Sequence, residues 1–349
     1  MFMSAVLLLA PLAALVITLA ATPVMRWLAV RFEFTDRPNP RRNTVLKPRL
    51  GGVAIFMGFA GAVLLFYPTM EGRTAEEMLK VSGLLAGGVV VLLGGVLDDR
   101  FDLSAGAQLL SQLVGAAIAM SSGILIQIVT NPLGTETSNS MLQFPVWFSI
   151  GFTLFWLAGA MNTVNFLDGI DGLAAGIVAV AALILALHTV ILGQFTIALL
   201  PLALLGACLG FLPYNFYPSR ITMGTSGSVF LGYALATLAV IGGTKAATLL
   251  LVLGLPLVDT GWTILRRLAS GRSPFSGDRG HLHHMLIEIG LSPRQIVLLM
   301  YGSSLGLGAL ALILSTRLSK LLALGIMTAV TLLLVGALTY AGRRRLAAK

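Results

Sequence analysis

The stretch "NFLDGIDGL" at 165–173 sets Asp168 and Asp171 three residues apart, follows Asn165 and places Gly169 and Gly172 between and after the acids. Long apolar runs flank it on both sides. Carboxylates at the edge of a hydrocarbon layer are costly to desolvate and need a reason to be there. If the segment opens a helix, the i, i+3 spacing puts both acids on one face, and the glycines let a ligand approach the backbone closely. Acids also stabilise a helix N-terminus by about 0.3–1 kcal/mol, which accounts for one Asp more readily than for two. A second pair, Asp98 and Asp99, directly follows another apolar run, with Asp102 three residues on. Adjacent carboxylates repel unless a cation compensates. Hard oxygen ligands, few per site, suit Mg²⁺ shared with substrate phosphates; a solvated helix end is the competing reading, and Arg100 makes it equally good for Asp102.

His281, His283 and His284 form His-x-His-His just after Asp278 and Arg279, so three of the four histidines lie within four residues. Zinc is one reading, but no cysteine is nearby: Cys208, the single cysteine, sits in an apolar run. Histidine beside arginine also suits a diphosphate, whose oxygens accept charge-assisted hydrogen bonds; an interfacial histidine cluster is the plainer alternative. His188 stands alone in an apolar run and reads as a packed or interfacial histidine. "MGTSGS" at 223–228 is a Gly/Ser loop whose backbone N–H groups could face a phosphate at a helix N-terminus. Asp259 lies in an apolar run two turns before Arg266 and Arg267, so it marks either a site or an ion pair.

The elements that must carry these residues are membrane helices. Of 349 residues, 57% are hydrophobic and 11% charged, against roughly 25% charged in soluble domains. Continuous apolar runs of about 20 residues recur along the chain, the signature of spanning helices rather than of an alternating barrel. The expectation is an all-α polytopic membrane protein, a single domain over 1–349 with about eleven spans: 4–24, 50–68, 79–97, 105–121, 145–163, 173–192, 195–213, 228–242, 246–265, 294–314 and 321–341. The segment 122–144 is too polar to cross, and its Val/Ile content and Asn-Pro and Gly breakers predict a small hairpin. The first span lacks a basic n-region and reads as a retained helix rather than a signal peptide. Alternating the connections places all but five of the 23 Lys and Arg (Arg73, Lys80, Lys245, Arg317 and Lys320) on one face. The positive-inside rule makes that face cytoplasmic, with the N-terminus outside, the C-terminus inside and the 122–144 hairpin periplasmic. The net charge of +9 is then a topology signal and an attraction to anionic headgroups, not nucleic-acid binding. The same count puts "KPRLGG" (47–52), "LDDRFDLS" (97–104), "NFLDGIDG" (165–172), "YNFYPSRITMGTSGS" (214–228) and "SGDRGHLHH" (276–284) on the cytoplasmic side, as one active site assembled from loops would require.

In combination, "PRLGG", "LGGVLDDRFDLS", "NFLDGIDGLAAG", "FLPYNFYPSRITMG", "SGSVFLG", "LPLVDTGWTILRRL" and "DRGHLHH" resemble, in order and spacing, the polyprenyl-phosphate N-acetylhexosamine-1-phosphate transferases over roughly 35–290. The Asp-Arg before His-x-His-His is similar to the branch that uses UDP-GlcNAc and undecaprenyl phosphate. That branch initiates O-antigen, enterobacterial common antigen, teichoic-acid linkage or arabinogalactan assembly. The resemblance implies transfer of GlcNAc-1-phosphate from UDP-GlcNAc to a polyprenyl phosphate in the inner membrane, with release of UMP. It also implies Mg²⁺, with Mn²⁺ as a substitute, and is compatible with a homodimer. By the same resemblance, Asp98, Asp99, Asp168 and Asp171 are the catalytic set. Lys47, Arg49, Asn165, Asn215, Arg279, His281, His283 and His284 bind substrate, and Asp98, Asp99 and Asp171 serve the metal together with position 225. There the family reads Met-Gly-Asp-x-Gly-Ser with the Asp a metal ligand, and this chain has Thr225. A catalytically impaired member is therefore a second reading. A phospho-N-acetylmuramoyl-pentapeptide transferase is a third, although "KPRLGG" departs from that branch's usual pattern. A UbiA-type prenyltransferase, for which "DDRFD" is formally DDxxD, is a fourth; it leaves the histidine cluster and "MGTSGS" without a role.

Overall fold

The computed structural model describes residues 2–35, 47–131, 141–243, 245–269, 271, 282–314 and 316–347. The chain is built of helices: α1 Phe2–Arg31, α2 Gly51–Phe66, α3 Ala75–Phe101, α4 Ala105–Ser121, α5 Val146–Leu167, α6 Leu173–Ile191, α7 Phe195–Asn215, α8 Gly224–Ile241, α9 Ala246–Val252, α10 Gly254–Ala269, α11 Leu282–Glu288, α12 Pro293–Ile313 and α13 Arg317–Ala347. Among the described residues nine helices are long and apolar enough to cross a membrane, or ten if α9 and α10 are one broken span. Each of the eleven expected spans falls on helix, with two corrections. The 105–121 span, α4, is only 17 residues, and 246–265 is not one rod but the pair α9–α10, bent by 78°. The predicted hairpin is present: β1 Ile128–Thr130 pairs antiparallel with β2 Met141–Gln143.

Local chemistry starts several of these helices. Thr74 and Glu77 form a capping box on α3, Ser104 caps α4, and Ser292 with Gln295 caps α12, each satisfying amides that a helix start otherwise leaves unpaired. The architecture around the site depends on glycines where helices cross. A Cβ on Gly52 of α2 would collide with the Gly227 backbone of α8, and one on Gly95 of α3 with the Ser226 backbone. Small residues let helix backbones touch in a bilayer, where packing and hydrogen bonds must hold helices together. The N-terminus of α8 is thereby wedged between the start of α2 and the last turns of α3. From there α8 runs through the centre of the protein, with Val229, Phe230, Leu231, Tyr233 and Leu235 buried.

Candidate active site

Asp98 and Asp99 do not follow the third span, as expected, but lie inside its last turn, since α3 continues to Phe101. Successive helical residues point in different directions, and the two acids part company. The Asp98 carboxylate accepts from the Leu103 N–H at 2.9 Å and from Gln108 Nε2 at 2.6 Å, closing the α3–α4 connection. Asp99 turns the other way and accepts from the backbone N–H groups of Thr225 at 2.8 Å and Ser226 at 3.1 Å. These are amides of the first turn of α8, whose own N-cap, Met223, offers no side-chain bond. The loop amides expected to meet a phosphate are already facing an anion, and it comes from the chain. Asp102 adopts a left-handed conformation and stands 3.8 Å from Arg49. The three acids of "DDRFD" thus face three different partners instead of forming one diphosphate–metal cluster.

Asp168 and Asp171 do not open the sixth helix. They occupy the turn between α5 and α6, where Gly172, at φ +84°, adopts a conformation that favours glycine. Asp171 is held by Lys47, whose ammonium reaches both carboxylate oxygens at 2.8 and 2.7 Å and also Ser219 Oγ at 2.9 Å. The Ser219 N–H adds a further bond to Asp171 at 3.0 Å. Lys47 and Arg49 are delivered by an extended strap. Thr35 bridges Pro48, the Arg49 N–H donates to Phe34 O, and Pro48 O accepts from both the N–H and the hydroxyl of Thr222.

Among the described residues the Asp168 carboxylate has no hydrogen-bond partner. Burial holds its pKa well above the usual carboxylate range; the charges of Asp99 and Asp171 push the same way, and Arg49 and Lys47 only partly offset them. Asp99, Asp168, Asp171, Lys47 and Arg49 therefore form one electrostatic cluster, and Asp98 is not among the charges that bear on Asp168. No group of three or more His, Cys, Asp or Glu among the described residues is arranged to enclose a metal. The donor set nevertheless fits a hard cation held by one or two carboxylates and completed by substrate oxygens and water, which is how Mg²⁺ is usually bound. A half-buried carboxylate without a hydrogen bond among the described residues, under the charge of two others, is the observation that favours it.

The remaining residues divide similarly. Asn165 accepts from the Ser228 hydroxyl at 2.8 Å, tying α5 to α8. Asn215 is buried and its amide is engaged at both ends, accepting from the Gly172 N–H at 3.1 Å and donating to Ile221 O at 3.1 Å; it braces the turn. Arg279 and His281 lie outside the described residues, as do the side chains of His283 and His284. The helix that carries His283 and His284 is tied to α10 through the Leu282 N–H, which donates to Asp259 at 2.7 Å. Thus Asp259, an open choice in the sequence, anchors the start of α11. His188 packs as expected, with Nδ1 2.9 Å from Thr248 Oγ1. Sequence reasoning passed over Ser219, which contributes a hydroxyl and a backbone N–H, and Gln108, which contributes one amide, and neither leaves a motif to read.

Residues 81–243 match the family model described as glycosyl transferase family 4. A Bacillus subtilis protein named as a probable undecaprenyl-phosphate N-acetylglucosaminyl 1-phosphate transferase is 34% identical over 295 residues, covering 82% of this chain and 79% of that protein. The decaprenyl-phosphate N-acetylglucosaminephosphotransferase of Mycolicibacterium smegmatis is 34% identical over 318 residues, covering 83% and 77%. A phospho-N-acetylmuramoyl-pentapeptide-transferase of Desulforudis audaxviator is 33% identical over 325 residues, covering 86% and 95%.

Proposed function

The chain belongs to glycosyl transferase family 4, the polyprenyl-phosphate N-acetylhexosamine-1-phosphate transferases, and we propose that within it the protein uses UDP-GlcNAc as donor. It is a multi-pass membrane transferase of glycosyl-1-phosphate groups. In the proposed reaction an oxygen of polyprenyl phosphate attacks the sugar-linked phosphorus of UDP-GlcNAc. A new P–O bond forms, the bond to the bridging oxygen breaks, and UMP leaves with that oxygen. Polyprenyl-diphospho-GlcNAc remains in the membrane. The observation that carries this reading is the cluster of Asp99, Asp168 and Asp171 with Lys47 and Arg49.

Phosphoryl transfer asks a protein for positioning and charge compensation more than for covalent chemistry. Lys47 and Arg49 present cations to phosphate oxygens, and the strap through Pro48 fixes their reach. Asp168, with its raised proton affinity and unengaged oxygens, is suited to take the proton of a lipid phosphate monoanion. That role falls to Asp168 rather than to Asp98 or Asp99, whose carboxylates are engaged by the α3–α4 connection and by the α8 amides. Bound Mg²⁺ would neutralise charge on the diphosphate, with Asp171 and the Thr225 position as its protein side. Arg279, His281, His283 and His284 are proposed to hold the diphosphate.

GlcNAc as the sugar is supported by the names of the Bacillus and Mycolicibacterium relatives and by "KPRLGG" and "DRGHLHH". The phospho-N-acetylmuramoyl-pentapeptide reading is favoured by one observation, the 95% coverage of the Desulforudis protein. Membrane vesicles given polyprenyl phosphate and a panel of labelled donors decide between them. Label from UDP-GlcNAc appearing in lipid, with stoichiometric UMP, is expected, and only in vesicles whose cytoplasmic face is accessible. Label from UDP-MurNAc-pentapeptide alone would replace the proposed donor.

A further inference from the structure

We propose that Tyr301, on α12, is a positioning residue for the carboxylate turn at 168–172. The hydroxyl of Tyr301 donates to Gly172 O at 2.5 Å, while Asn215 of α7 accepts from the Gly172 N–H. The Gly172 residue is thus held on both sides from two different helices, at a backbone conformation open mainly to glycine. It immediately follows Asp171 and ends the turn that carries Asp168.

The space for this contact is prepared by a second glycine. A Cβ on Gly176 would fall within the Tyr301 ring, so the ring occupies a notch on α6 one turn beyond Gly172. The same helix reaches the other side of Asp171: Arg294 Nε, near the start of α12, donates to Tyr217 O at 3.3 Å, two residues before Ser219, which bonds Asp171. α12 therefore braces both segments that converge on Asp171. It lies beyond residues 81–243, where the family model matches, and carries none of the motif acids or histidines.

A tyrosine that merely filled space would be replaced without loss by phenylalanine. A tyrosine that holds the turn would not. The inference rests on the turn carrying the carboxylates of the proposed reaction, Asp168 for the lipid phosphate proton and Asp171 towards the donor diphosphate, and the measurements separate the two. In purified full-length protein, Tyr301→Phe should accelerate hydrogen exchange in the peptide spanning 165–176. It should weaken UDP-GlcNAc binding by about three- to tenfold, the worth of one net hydrogen bond, and raise the donor KM by a like factor. The kcat should fall by a comparable factor, because the same turn carries Asp168, while the thermal midpoint should stay near the parent value. Gly176→Ala, which displaces the ring and keeps the hydroxyl, should give the same exchange signature. Unchanged exchange and unchanged donor affinity in Tyr301→Phe would overturn the proposal. So would a loss that tracks only the amount of folded protein. If the parent protein binds no UDP-GlcNAc, the donor reading fails, and exchange at the turn still decides the role of Tyr301.

Discussion

The two ends of α8 bury charge in opposite senses, and neither buried charge is left to itself. At the N-terminus the Asp99 carboxylate accepts two amide hydrogen bonds. At the C-terminus the Lys245 ammonium donates to Gly242 O, the first carbonyl past the helix, and to Gln194 Oε1 at 2.7 Å. Both charges complement the helix dipole. What separates the ends is the company they keep. Lys245 is buried with its donors directed at neutral oxygens, and burial lowers its pKa to about 8. Asp99 bears on Asp168, which has no hydrogen-bond partner among the described residues and also feels Asp171, a carboxylate held by Lys47. A buried charge matched by backbone is architecture; an unmatched one among like charges marks the place where a ligand is awaited.

Asp168→Asn is the most severe way to break that contrast. Transfer should fall by about 10²–10³, the usual worth of one preorganised polar group at a charged transition state. The thermal midpoint should hold or rise, because a half-buried, repelled charge is gone. The pH dependence has a fixed sign. A carboxyl whose folded pKa is raised binds more protons folded than unfolded, so its contribution to stability falls as pH rises from the unfolded pKa through the folded one. Melts of the parent and of Asp168→Asn across that range should show a larger fall in the parent than in the variant. A variant that loses stability at all pH values would make Asp168 a structural residue.

Lys47→Met removes the two bonds to Asp171 and the one to Ser219. Charge-assisted bonds are worth about 1.5–3 kcal/mol each, and transfer should fall by at least about tenfold, with Lys47→Arg partly restoring it. Thr225→Asp tests the same end from the opposite direction. It restores the family carboxylate in the first turn of α8 and should raise transfer about tenfold or more. Because it adds like charge near Asp99, it should also lower the melting temperature without Mg²⁺ and enlarge the stabilisation that Mg²⁺ gives. Full activity in the parent with no gain in Thr225→Asp would remove position 225 from the metal site.

The smallest effect on chemistry belongs to the far end. Lys245→Met should cost about 1–2 kcal/mol of stability and leave transfer per folded molecule within about twofold. A lysine whose folded pKa is lowered binds fewer protons folded than unfolded, so the parent gains stability as pH rises from about 8 towards its ordinary value of 10.5. That gain should be smaller in Lys245→Met when the two are melted side by side.

Hydropathy alone determined that the chain is a bundle of apolar helices, because hydrocarbon admits no unpaired backbone and continuous runs of that length have no other outcome. Val/Ile content and breakers likewise predicted a hairpin within 122–144, which the structure shows as Ile128–Thr130 paired with Met141–Gln143. Motif order determined the family, since each acidic or glycine-rich stretch is local in sequence. Only the tertiary structure decided the rest. Asp98 and Asp99 are neighbours in sequence with the same chemistry, yet they face different elements, because Gly95 and Gly52 let α8 pack close enough for its first amides to reach one acid and not the other. Asp168 and Asp171 lie in a turn rather than on a helix face because the clamped Gly172, held by Asn215 and Tyr301, stops α6 from starting earlier. The break between α9 and α10 falls at Gly254 and Pro256, breakers that the single span expected over 246–265 ran through. That the Asn215 amide is engaged at both ends shows only in the packed structure. Tyr301 looked like nothing, because a single hydroxyl 129 positions from its acceptor has no periodicity, spacing or charge to announce it until the helices are packed.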